Sequence, residues 1–170
     1  MEFNNLQELL ILELKDLCSA ENQIIQALPK MITGAASPEL RDAFENHLSE
    51  TKGQVNRLRK CVNILQSDLE GEECRAMKGL VEEGIKLLQE HGKSSLRDAA
   101  LIGAAQKIEH YEMAAYGTAR AHAELLEQDE IVDLLHDSLE EEASANKKLT
   151  KIAEGSFFEV GVNKTALESL

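Results

Sequence analysis

In the stretch Leu101-Ile102-Gly103-Ala104-Ala105-Gln106-Lys107-Ile108-Glu109-His110-Tyr111-Glu112-Met113-Ala114-Ala115-Tyr116, apolar residues recur at helical spacing and enclose two carboxylates. At 100° per residue, Leu101, Ala105, Ile108, Tyr116, Ala119 and Ala123 form one stripe. Glu112 falls at its centre, Glu109 about 60° to one side, and His110 on the opposite face. A helix that carries acid into its buried seam needs a use for it, because an unpaired buried carboxylate costs on the order of several kcal/mol.

The same pattern occurs earlier in the chain. Sliding the sequence along itself by 91 positions, without gaps, places Glu21 on Glu112, Leu48 on Leu139, Glu50 on Glu141 and Leu58 on Leu149. The unit repeated is a pair of helices. The first helix runs from about Asn5 to Met31; Gly34 to Pro38 breaks it, and Ser37 before Pro38 and Glu39 suits the cap and first turn of a second, reaching about Ser67. A short connecting helix spans about Cys74 to His91 and ends at Gly92. Ser94 or Ser95 caps the next long helix, Leu96 to about Leu126, and a turn at Gln128 and Asp129 leads to a fourth ending at Glu154. Two hairpins joined by a long crossover with its own short helix predict an all-α fold, the antiparallel four-helix bundle of ferritin-like type. The bundle is expected to occupy residues 1–155, with 156–170 a tail to which periodicity assigns no structure.

Whole-chain numbers agree. A length of 170 residues suits one domain, and 43% hydrophobic residues with only 4% aromatic reads as helical. The net charge of -13 argues against nucleic acid or an anionic membrane surface as partner. No apolar run approaches the roughly 18 residues needed to span a bilayer. Cys18, Cys61 and Cys74 form neither a disulfide framework nor a Cys-x-x-Cys pair, which fits a reducing cytoplasm.

The other helices also turn polar residues inward. Glu21 is central to the stripe of Leu10, Leu14, Leu17, Ile25 and Leu28, whereas Asp16 points away. On the second helix, His47 and Thr51 lie within the stripe of Leu40, Phe44, Leu48, Val55, Leu58 and Val62, with Glu50 at its edge. Leu135, Leu139, Leu149 and Ala153 surround Glu142 on the fourth. Gln54, Thr51 and Asn146 are candidate partners behind these residues. Lys15, Lys30, Arg57, Lys107, Lys147 and Lys148 project away, and only Arg120 nears the seam. Divalent cations therefore balance the acids more simply than side chains do, and carboxylates with an imidazole suit iron or manganese better than a thiolate-preferring metal. Cys18, the repeat equivalent of Glu109, reads as a small buried apolar residue.

The runs Leu14-Lys15-Asp16-Leu17 with Ala20-Glu21-Asn22-Gln23, His47-Leu48-Ser49-Glu50-Thr51, Arg97-Asp98-Ala99-Ala100-Leu101-Ile102, Lys107-Ile108-Glu109-His110-Tyr111-Glu112 and Leu139-Glu140-Glu141-Glu142 resemble the YciE/YciF family of bacterial ferritin-like proteins over roughly residues 5 to 154. Glu109 and Glu112 followed by Tyr116, and Ala20 to Gln23, are also similar to rubrerythrin motifs. The resemblance implies a carboxylate-bridged two-metal site, a homodimer and a link to bacterial stress. Ferritin-like di-iron sites take Glu-x-x-His from two helices, and this chain departs from that: Gly53 follows Glu50, Gln54 follows Thr51 and Ala145 follows Glu142. His47 stands in on one side.

The expected function is a cytoplasmic stress protein holding two divalent ions, iron first, with manganese or zinc as alternatives. Glu21, Glu112 or both would bridge them, with Glu50, His47, Glu109 and Glu142 as terminal ligands. Two other readings stay open: a peroxide or oxygen reductase fed by an external electron donor, since no rubredoxin-type cysteines are present, and a metal-free dimeric scaffold.

Overall fold

Six helices follow one another in the computed structural model, which describes residues 4–89, 94–156 and 159–168: α1 (Leu6–Gly34), α2 (Pro38–Ile64), α3 (Arg75–Gln89), α4 (Ser94–Leu125), α5 (Asp129–Glu154) and α6 (Val162–Leu167). Several starts and stops have a local cause. Asn5 caps α1 by accepting the Glu8 amide at 2.9 Å. Ser37 accepts from the Leu40 amide at 3.3 Å, ahead of Pro38 in the first turn of α2. That helix stops at Ile64 rather than about Ser67, because Gln66 takes a left-handed conformation (φ 53°) and the Ser67 amide closes back on Val62. Helix α4 begins at Ser94, with Ser95 in its first turn. Gly92, expected to end the connecting helix, lies outside the described residues, as do Met1 to Phe3 and the tail residues Phe157 and Phe158.

Helices α1 and α2 form one hairpin and α4 and α5 the other; α2 packs on α5 and α1 on α4, while α3 lies against both α1 and α4. The chain is an antiparallel four-helix bundle of ferritin-like type with a short helix in its crossover. Beyond α5, Gly155 pairs with Val160, and α6 packs on α4 and α5. Gly155 is required there, since its φ is 82° and a Cβ would come within 2.4 Å of the Glu159 carbonyl and the Gly161 amide.

The core has two apolar layers. One contains Ile24, Leu28, Leu40, Phe44, Leu101, Ile108 and Leu149, the other Leu10, Leu14, Leu58, Val62, Tyr116, Ile131 and Leu135. Helices α1 and α5 pass from the second layer to the first, and α2 and α4 from the first to the second, so every adjacent pair is antiparallel. Buried acids lie where the layers meet on α1, α4 and α5, and His47 and Thr51 do so on α2, which places Glu21, His47, Glu109, Glu112 and Glu142 in a belt at mid-height.

Candidate metal centre

All four bundle helices contribute to the belt. Glu21, Glu112 and Glu142 are fully buried, and Glu109 and His47 nearly so. His47 faces three carboxylates: its Nε2 lies 3.6 Å from Glu109 Oε1, and its Nδ1 lies 3.9 Å from Glu50 Oε2 and 4.0 Å from Glu142 Oε2. Donor atoms of His47, Glu109, Glu112 and Glu142 all lie within 4.8 Å of one another. Glu21 and Glu50 fall outside that closest group. Glu21 is sealed in the core with it, whereas the Glu50 side chain is 42% exposed at the outer edge.

Several of the atoms turned toward one another make no hydrogen bond, although His47 lies at ion-pair distance from its carboxylates. Glu112 Oε1 and Oε2, Glu109 Oε2, Glu142 Oε2, Glu21 Oε2 and both His47 ring nitrogens are buried without a hydrogen bond. Buried polar groups are almost always satisfied, so this concentration is unusual, and the group could hold a metal ion. The remaining oxygens are held from behind. The Tyr116 hydroxyl donates to Glu21 Oε1 at 2.5 Å, and Gln54 Nε2 donates to Glu142 Oε1. Thr51 donates to the His47 carbonyl at 2.7 Å.

Electrostatics point the same way. Burial, reinforced by the Glu142 charge, pushes the Glu21 carboxyl up to about 8. Burial likewise drives Glu112 well above its usual range, with Glu21 adding to the rise; it also drives Glu109 up, against the opposing pull of His47. Burial disfavours a charged His47, but the surrounding carboxylates, Glu109 foremost, outweigh it and raise the imidazole to about 10. The group therefore holds protons that a divalent cation would displace. Four carboxylates and one imidazole, with no thiolate among them, are a hard oxygen-rich donor set that fits iron or manganese.

The DUF892 family, described as a domain of unknown function, matches residues 5–164. The chain belongs to this family. It is 41% identical to Protein YciF of Escherichia coli (strain K12) over 155 residues, 90% of this chain and 93% of the relative. The crystal structure of the E. coli stress protein YciF superposes with a TM-score of 0.85 at 39% identity, covering 88% of this chain and 94% of that one. YcfI from Rhodopseudomonas palustris gives 0.86 at 39% identity, covering 89% and 97%. A Xanthomonas campestris protein only 19% identical shares the fold, with a TM-score of 0.74. The YciE/YciF resemblance is thus borne out.

Among the supports of the cluster, Gln54 was expected from the sequence, whereas the roles of Arg57 and Glu141 were not. Gln54 donates to Glu141 as well as Glu142, at 3.0 Å, and Arg57 reaches Glu141 and Ser138. Arg57, expected to project away, is instead part-buried, because the half-exposed Glu141 draws it along the α2–α5 seam. Asn146 accepts from Gln106 at 3.1 Å. Tyr116 carried a readable signal, since a buried tyrosine hydroxyl on an acid-bearing stripe seeks an acceptor. No such periodicity marks Glu141, which lies off the stripe.

Proposed function

We propose that the bundle core is a divalent-cation centre for two ions, iron foremost, which Glu21, His47, Glu109, Glu112 and Glu142 would hold, with Glu21, Glu112 or both shared between them. Glu50 completes the set from the outer edge. The observation that carries this reading is the buried, unpartnered oxygen and nitrogen atoms of His47, Glu109, Glu112 and Glu142, gathered within 4.8 Å. Bound iron would supply redox and Lewis-acid chemistry in a dry core. The chain's own residues orient the ligands: Tyr116 holds one Glu21 oxygen, Gln54 holds one Glu142 oxygen, and the apolar layers above and below exclude water.

We assign the protein to bacterial stress physiology, as a metal binder working as a homodimer in a reducing cytoplasm. Support comes from the E. coli relative, which is a stress protein, and from three buried free cysteines. The test is metal analysis of protein stripped with chelator and reloaded anaerobically with Fe2+. The wild type should retain about two equivalents, as expected of a two-ion carboxylate site, and Glu142→Ala should lose at least one. Protein that binds no metal, and whose stability is the same with and without chelator, would overturn the reading in favour of a proton-linked scaffold.

A further inference from the structure

One turn after Glu142 stands Ala145, where the Glu-x-x-His pattern of ferritin-like sites would put an imidazole. Its methyl group leaves a cavity of about 40 Å3 between α2 and α5, walled by Ala43, Phe44 and Ala145 and reaching His47, Glu50 and Glu109. The larger hollows, about 1080 Å3 along α1 and α4 and about 670 Å3 near the end of α5, touch none of the belt residues.

Donor atoms are graded through this opening. Glu50 is half-exposed at the lip, with Oε2 3.9 Å from His47 Nδ1; the opposite ring nitrogen, Nε2, lies 3.6 Å from the buried Glu109. The imidazole therefore spans from lip to interior. Glu50 and Glu109 present carboxylate oxygens to this opening, donors that suit a hard cation, beside His47 and the exposed Lys148. A water needs roughly 10–15 Å3 of such space, so an ion carrying about six waters does not pass. It must exchange water for protein oxygen at the lip.

Resting on the metal-centre reading, we infer that the opening beside Ala145 is the route by which the cation enters the core, meeting Glu50 first and then His47 and Glu109. Residue 145 then sets the uptake rate through its size. Stopped-flow mixing of chelator-stripped full chain with Co2+, followed by the visible absorption of bound Co2+, measures it. Ala145→Leu should slow uptake at least about tenfold with the final Co2+ content unchanged, and Ala145→Gly should speed it several-fold. Equal rates in all three proteins at full occupancy would overturn the route. So would a folded Ala145→Leu protein with reduced final Co2+, which would make residue 145 part of the site's volume. If Ala145→Leu does not fold, the comparison of Ala145→Gly with wild type decides alone. A wild type that takes up no Co2+ would instead overturn the metal centre, and the route with it.

Discussion

Glu21 is tolerable in the core when it holds a proton or a cation, and costly otherwise. Its carboxyl is raised from 4.5 to about 8, so the folded state binds a proton the unfolded chain releases, and this contribution to stability falls as pH rises between those values. His47 has the same sign: raised from 6.5 to about 10, it contributes stability below 6.5 that is lost as pH climbs toward 10. The melting temperature of chelator-treated protein should therefore fall between pH 5 and pH 8, while the metal-loaded protein stays flatter; calorimetry across that range checks it, and a flat chelator-treated profile would contradict it. Glu21→Gln separates the two roles. An amide keeps the Tyr116 contact without the proton uptake that Glu21 needs on folding, which costs on the order of 3 kcal/mol at pH 7. The variant should melt higher than wild type when stripped, and gain less from added metal.

At the scale of elements, the joints between helices rest on a few polar contacts. Asp98 on α4 accepts the amides of Ala36 at 2.9 Å and Ser37 at 2.7 Å, tying the α1–α2 turn to the second hairpin. Asp98→Ala should cost roughly 1–3 kcal/mol, read as a lower denaturant midpoint with unchanged slope. Gly155→Ala should loosen α6, which hydrogen exchange would report as earlier labelling at 162–167 with α1 and α2 unaffected. The helices themselves were legible because their stripes repeat every three to four residues and Ser37, Pro38 and Gly155 punctuate them. Helix α6 was not, because six residues carry too few turns for a periodic signal, and Gln66 ended α2 through a backbone angle that no residue type demands.

For the whole molecule, the 91-residue repeat made the bundle and the pair Glu21 and Glu112 readable, and the helical stripes added His47, Glu109 and Glu142. It could not grade distance: Glu21 was expected to bridge and Glu50 to bind beside Glu109, yet among the described residues it is His47, Glu109, Glu112 and Glu142 that converge within 4.8 Å. That convergence depends on helix rotation and side-chain reach, which spacing along one helix does not encode. If the belt binds metal, folding and binding are linked, and free metal at a hundred times its dissociation constant should add about 2.7 kcal/mol, or roughly 5–11 °C in melting temperature for a chain of this size. The most direct test is a crystal structure of iron-loaded protein with anomalous data collected on either side of the iron edge. The account predicts two iron peaks enclosed by Glu21, His47, Glu109, Glu112 and Glu142. Iron-loaded crystals with no peak in that belt, or with iron only at the surface, would contradict it.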